Sequence, residues 1–513
     1  MNAVISVPKG AGLENPRSAN LYDPQTQIEI HSITQTYAPG NRIDPNNSFV
    51  SWNFQKVLSS QNSSQEVGTA TITLTAEPLG APGQTWKDLV SPQDLVVIYS
   101  SKDGPNLRTR FVGYVDDVLY FTDTTDAQNP QRYVQISASD PMVAFLANMV
   151  FTSQNISPAK TVGGVNAQGR AVLDFYKMIN ELAINWGGSS GGNNLAWPAW
   201  LAALLGKSTR ASQLSNMTPS QTVSAILNTI MKALYQPVVQ VRTKTFAGSA
   251  TWLKLVSQAF ADTSQFAGSA YWVTPQDGPL ISSVLPVMNA PFLEFFGDMR
   301  SADEFGANSA AIPKPSPSGI SFGQDQAQFC IVIRPTPFDT TSGAPGTSAT
   351  AFEQLPMTDV WLKDTSGQQI YQTKEDVVNY YWVYPEGYMT QSNATLAAVK
   401  ELYGALIDTA SVVKYGLQPL EVPIFGQPQG NSAQAYNPQN IQKWEQALYD
   451  WYNQNPTYER GTLTIHGDPS VRVGQRIRVP SIRLIGYVEG VQETFDRFNQ
   501  YTQTVTFSRG VYY

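Results

Sequence analysis

Very little in this chain is suited to metal, redox or nucleophilic chemistry. Its 513 residues include one cysteine, Cys330, and two histidines, His31 and His466. A single thiol excludes an internal disulfide framework. Three His and Cys residues without close spacing supply no zinc site, which needs three or four converging ligands. Charge is scarce too: 14% of residues are Asp, Glu, Lys or Arg, where soluble domains usually carry roughly 25%. The net charge is −7, and no basic run tracks a phosphate backbone, which argues against tight nucleic-acid binding. No P-loop, helix-opening G-x-G-x-x-G, G-x-S-x-G elbow or H-E-x-x-H is present. MNAVISVPKGAG at the N-terminus lacks the apolar core of a signal peptide. The most apolar run, LAWPAWLAALLG at 195–206, is too short for a bilayer and is interrupted by Pro198. The chain is expected to be soluble, made in the cytoplasm and not inserted in a membrane.

What it has instead is a hydrophobic content of 42%, an aromatic content of 11% and many Gln, Asn, Ser and Thr. That mixture suits a particle subunit whose surfaces become buried against neighbours. The length predicts three or four domains.

Nine residues are written nearly twice: RFVGYVDDV (110–118) and RLIGYVEGV (483–491). Around each lie further matching words in the same order. EVGTATIT (66–73) matches ERGTLTIH (459–466), QDLVV (93–97) matches QRIRV (475–479), and YVQISAS (133–139) matches YTQTVTFS (501–508). Each alternates apolar and polar residues with period two, the mark of a half-buried strand. The breaks between them are rich in turn residues, as at Lys102-Asp103-Gly104-Pro105 and Gly467-Asp468-Pro469. Loop lengths differ while the strand words persist, as expected of a duplicated β fold. The expected class is therefore mainly β with helical insertions: two tube-like antiparallel β-barrels related by internal duplication.

An arm (1–25) precedes the first barrel (26–151), which opens with QIEIHSITQTY (27–37) and FVSWNFQKV (49–57) and closes with a short helix, DPMVAFLANMVF, capped by Asp140. A helical domain follows at 152–236, with Phe175, Ile179, Leu182 and Trp186 on one face. Residues 237–318 read as an irregular or β domain of unknown role. The second barrel is discontinuous, 319–385 and 457–513, opening at QFCIVIRP (328–335), VWLKD (360–364) and NYYWVYP (379–385). A helical insertion at 386–456 interrupts it, with helices expected at 392–415 and 437–456; Ile441, Trp444, Leu448 and Trp451 form the buried face of the latter.

Candidate chemistry is sparse, and no catalytic, cofactor or metal residues are assigned. His31, His466 and Cys330 fall in predicted strands and read as structural. Asp116, Asp117 and Glu489 invite comparison with glycosidase acids, but neighbouring residues of a strand point to opposite faces and cannot flank one bond. Asp298, Asp303 and Glu304 form the one dense acidic cluster in 152–318. Trp186, Trp197, Trp200, Trp444 and Trp451 have the surfaces to stack on sugars, but suit helix packing better.

The run GTLTIHGDPSVRVGQRIRVP (461–480), then RLIGYVEGVQETF, then YTQTVTFSRG (501–510) resembles the C-terminal barrel of tail hub proteins of long-tailed bacteriophages, of the baseplate hub or late-control type. NYYWVYP, Lys414-Tyr415-Gly416 and RFVGYVDDV are similar to that family as well. The resemblance implies a non-enzymatic homotrimer in the virion tail or baseplate, assembled in the host cytoplasm. It implies a tail tube protein above, a spike below, and baseplate wedge and tape measure proteins as further neighbours, with DNA passing through unbound. Three chains with two barrels each would present six barrels, matching a six-fold tube to a three-fold spike. Two alternatives remain: a tail-tip cell-wall hydrolase with its lytic domain in 152–318, and a carbohydrate-binding receptor module.

Overall fold

A computed structural model describes residues 22–32, 35–59, 64–65, 67–124, 131–143, 145, 149–150, 256–260, 278–279, 281, 285–301, 304, 321–338, 352–361, 364–374, 376–385, 404–424 and 438–513. Residues 1–21 of the expected arm and the whole helical domain, with Phe175, Ile179, Leu182, Trp186, Trp197 and Trp200, lie outside them.

The six longer strands of the first half are β1 (Gln25–His31), β2 (Phe49–Ser59), β3 (Thr69–Thr75), β4 (Leu95–Ser101), β5 (Arg108–Asp123) and β6 (Gln131–Ser139). β7 (Leu293–Arg300) and β8 (Gln328–Pro335) form an antiparallel pair. The second half holds β9 (Met357–Asp359), β10 (Thr365–Tyr371), β13 (Glu459–His466), β14 (Arg476–Val479), β15 (Leu484–Asp496) and β16 (Tyr501–Tyr512). Between β10 and β13 come β11 (Tyr380–Pro385), α1 (Thr409–Tyr415), β12 (Pro419–Ile424) and α2 (Pro438–Tyr452). The chain is mainly β, as its alternating words predict.

In space the first half runs β1-β4-β5-β6-β3-β2. The second runs β9-β14-β15-β16-β13-β10. The last five strands of each series are paired in the same order and all antiparallel. The first differs: β1 is antiparallel to β4, whereas β9 is parallel to β14. The halves are joined into one sheet where β2 pairs antiparallel with β15, Ser51–Val57 against Gly490–Asp496.

Closed barrels are not formed among the described residues. A strand edge accepts one neighbour, and the outer edge of β2 is taken by β15 instead of closing onto β1. Other expectations change as well. QIEIHSITQTY is two strands, with Ile30 paired to Tyr37 and His31 to Thr36. Of the expected helix 140–151, Pro141 and Met142 form a turn, Val143 and Phe145 are helical, and Met149–Val150 is extended and paired with 278–279. VWLKD lies between β9 and β10, and NYYWVYP, as β11, joins a separate sheet with β12 and Leu406–Ile407. Residues 392–403 of the expected helix lie outside the described residues; in the described remainder Leu406 is in a strand and Thr409–Tyr415 is helical, capped by the Asp408 carboxylate. The insertion 386–456 is thus partly β. QFCIVIRP is a strand, but it pairs with β7 and with 256–260.

The burial pattern explains which strands read clearly. In β2, Trp52, Phe54, Lys56 and Leu58 are buried while Asn53 and Gln55 are exposed, so the word alternates. In β4 all seven residues are buried, because Val96 and Ile98 feed one core while Leu95, Val97 and Tyr99 feed another. A strand covered on both faces reads as a continuous apolar run.

α2 seals the second core as expected: Ile441, Trp444, Leu448 and Trp451 are buried, with Phe292 ringed by Trp444 and Trp451 at 5.2 and 5.7 Å. Glu445 shares that face. It accepts the Val383 N–H of β11 at 3.2 Å, and burial raises its pKa to about 7, against a weaker pull downward from that hydrogen bond. A carboxyl whose pKa rises on folding stabilises the fold most below its unfolded value of 4.5, and loses that contribution as pH rises through about 7. Glu445→Gln keeps an acceptor for Val383 without the charge. The variant is expected to be more stable than wild type at pH 8 by on the order of 2 kcal/mol, discounted for partial solvent screening. Urea unfolding across the pH range should show the gap closing toward pH 4.5.

Candidate functional site

The strongest concentration of buried polar chemistry lies at the junction between the halves. Arg110, the first residue of the RFVGYV word on β5, projects into the second half. Its Nε donates to Glu493 Oε1 of β15 at 2.6 Å, a second guanidinium nitrogen pairs with the same carboxylate, and Nη2 donates to the Val471 carbonyl at 3.1 Å. Glu493 also accepts from Tyr501 Oη (2.8 Å) and Gln503 Nε2 (2.9 Å), both of β16. Ser100 of β4 lies 3.3 Å from that tyrosine hydroxyl. Burial alone would lower the Arg110 pKa, but Glu493 and Tyr501 hold it above its usual value. Glu493 is wholly buried, so its charge is met entirely by protein groups.

Around this pair the seam is aromatic. Trp52 of β2 stacks on Phe495 of β15 at 5.8 Å and meets Tyr501 edge-on at 5.7 Å. Phe495 and Tyr501, though from the second half, belong to the core of the first. A neighbouring cluster ties β7 to both halves: Asp298 lies 3.2 Å from Arg300 and 3.9 Å from both Lys56 of β2 and Arg472. Arg472 also reaches Glu304 at 3.3 Å. Lys56 pairs with Asp140 at 3.4 Å. A third set joins β7, β8 and β15, with Arg334 Nε on Glu294 at 2.7 Å and the Tyr487 hydroxyl donating to the same carboxylate.

The repeated acids have a structural role that sequence reasoning missed. In β5 an extra residue, Asp116, bulges the strand against β6; in β15 Glu489 does the same against β16. Each accepts a hydrogen bond from a serine on the neighbouring strand, Ser139 Oγ to Asp116 at 2.5 Å and Ser508 Oγ to Glu489 at 2.6 Å. Both serines end their repeated word, which was the available signal. A second pair of bulges falls between Phe49 and Ser51 in β2 and between Thr365 and Gly367 in β10.

Registers place some words differently from their spelling. Taking Tyr114 with Tyr487, the ladders align Ala70, not Gly68, with Gly461. A shift of two leaves every side chain on its face, so alternation cannot detect it. QDLVV shifts by one: Gln93 corresponds to Gly474, and these share a left-handed backbone, φ 77° and 74°.

The other candidates disperse. His31 is buried, 3.1 Å from Thr36 Oγ1 and 3.3 Å from Glu29. His466 is half-buried and stacks on Tyr22 at 4.9 Å, with burial lowering its pKa. Cys330 is buried in β8, its thiol 3.5 Å from the Gln328 carbonyl. Asp117 is exposed on β5. Trp444 and Trp451 are core, not sugar platforms. For Asp298, burial raises the pKa, but Arg300, Arg472, Lys56 and Arg110 together hold it below the usual carboxylate value. A carboxylate so held does not donate protons near neutrality. Asp303 lies outside the described residues. Among those described, no cluster of His, Cys, Asp or Glu could hold a metal ion, and no helix is long and apolar enough to cross a membrane.

Glu493→Gln leaves Arg110 buried without its counter-charge and is expected to cost about 3–5 kcal/mol in denaturant unfolding. Pairing it with Arg110→Met should recover most of that loss, because the orphaned charge is gone. Equal loss in both would place the energy elsewhere.

No protein-family model matches the chain, and no curated protein does. Solved structures similar to it along most of its length are tail and tail-like proteins. A tail protein from Neisseria meningitidis MC58 covers 94% of this chain and 96% of its own at 9% identity, TM-score 0.43. The prophage tail protein gp18 from Listeria monocytogenes EGD-e covers 94% of each chain at 9% identity, TM-score 0.40. An E. coli component of the type VI secretion system, described as similar to the T4 bacteriophage tail proteins gp27 and gp5, covers 91% of this chain and 74% of its own at 9% identity, TM-score 0.34.

Proposed function

We propose that the chain is a structural tail protein that acts as a hub: a homotrimer that adapts a six-fold tail tube to a three-fold spike and contributes to the wall of the DNA channel. The observation that carries this reading is internal. Five strands in each half are paired in one order, with bulges at the same two places. Two matched sheets per chain, ancient copies of one unit, turn three chains into six near-equivalent sectors, and a ring of six meets a tube of six. The tail-hub wording of 461–510 supports the same assignment.

In this role the protein works by surfaces and not by a reaction. Its neighbours are the tube on one side, the spike on the other, and wedge and tape measure proteins around them, in the virion tail. The acidic balance keeps passing DNA from adhering to the wall. The hydrolase reading loses its support in the described residues, because Asp298 and Glu304 are bound to arginines.

Mass photometry and negative-stain imaging of the purified full chain test the hub. Particles of three chain masses with three-fold symmetry and six similar lobes are expected. Monomers at every concentration, with or without the spike, would remove the reading.

A further inference from the structure

Each half repeats the other, but one junction is made within the chain and its counterpart is not. On β15, one edge carries β16 along its length, while the other carries β14 first and then, from Gly490, β2. On β5, one edge carries β6, and the other carries β4 only as far as Tyr114. Beyond that point no strand among the described residues covers it. Likewise β2 has β3 on one side and β15 on the other, whereas β10 has β13 on one side and no described strand on the other.

The two edges with no partner among the described strands are therefore the counterparts of the two that meet at the seam. They cannot meet each other within the chain if the halves already meet through β2 and β15. We infer that the outer edge of β10 in one copy pairs antiparallel with residues 117–121 of β5 in a second copy, continuing the sheet from chain to chain. This rests on the ring reading above and specifies its interface.

The seam also supplies the register. Gln55 lies opposite Gln492, Phe54 opposite Glu493 and Asn53 opposite Thr494. The ladders make Tyr371, Ile370 and Gln369 the counterparts of Gln55, Phe54 and Asn53. They make Leu119, Tyr120 and Phe121 the counterparts of Gln492, Glu493 and Thr494. Between copies, then, Tyr371 faces Leu119, Ile370 faces Tyr120 and Gln369 faces Phe121.

Composition agrees with this pairing. Where the seam is already made, its outward residues are Asn53, Gln55, Gln492 and Thr494, all polar. On the two edges without a described partner the same four places carry Gln369, Tyr371, Leu119 and Phe121, three of them apolar or aromatic, with Leu119 and Tyr371 55% and 54% exposed. Apolar residues facing each other across a strand pair stabilise it, and exposed apolar edges otherwise invite uncontrolled pairing. Because the contact uses different surfaces on the two copies, it is head-to-tail, the kind that closes into a ring.

Disulfide trapping in the full chain tests the register. With Cys330→Ala as background, Leu119→Cys with Tyr371→Cys should cross-link copies under mild oxidation, giving covalent oligomers on a non-reducing gel. Leu119→Cys with Gln369→Cys, slipped by two residues, should cross-link at least about tenfold less, since a disulfide needs Cα atoms within about 7 Å. Chains carrying only Leu119→Cys, mixed with chains carrying only Tyr371→Cys, should stop at covalent dimers. Trimers that form without cross-linking at 119–371, or that cross-link better in the slipped pair, would overturn this interface and leave the hub reading intact. Monomers throughout would overturn both.

Discussion

Everything in the described fold depends on one strand pairing, that of β2 with β15. Strand edges are rows of unmet donors and acceptors, and a protein must pair, cover or expose them. Here the edge that would close the first half on itself is used to hold the second. The choice has a consequence for what lies behind the seam. Once the sheets run together, Arg110 of one half and Glu493 of the other are carried into a place that water does not reach, and each becomes tolerable only through the other. Aromatic rings from both halves then fill the space around them. The seam is thus a polar lock inside an apolar wrapping, and it fixes which residue meets which more firmly than apolar packing alone would.

The order of the strands was legible in the sequence because the same words recur in the same order. Their registers were not. Period-two alternation is blind to a slip of two, so EVGTATIT and ERGTLTIH match in spelling but not in position. The slip of one at QDLVV is hidden for another reason: what Gln93 and Gly474 share is a left-handed backbone and not a side chain. LEFFGDMR (293–300) does not read as a strand in the sequence because it is buried on both faces yet carries Glu294, Asp298 and Arg300, so neither alternation nor an apolar run marks it. Its charges make sense only beside Arg334, Lys56 and Arg472, which come from distant parts of the chain.

The acids show the same limit from the functional side. Asp116 and Glu489 attract notice in the sequence as acids kept in both copies of a repeated word. Their partners, Ser139 and Ser508, stand in a different word, and only the ladder brings them together. Each bulge increases the local twist of its sheet. A residue type that suggests a reaction here sets the curvature of a sheet.

The connections between paired strands have a consequence for how the chain reaches this state. In the first half, β2 and β3 are joined through residues 60–68. In the second, β10 and β13 make the corresponding pair, but residues 372–458 lie between them. Closing the longer loop costs about 2 kcal/mol more in chain entropy if that stretch is unfolded, and contacts distant in sequence form slowly. The first half can therefore pair β2 with β3 without a comparable excursion as it leaves the ribosome. The second must wait for its excursion to fold, and until then β2 presents an open edge with no β15 to cover it. The order of synthesis thus makes the first half the template on which the second is completed.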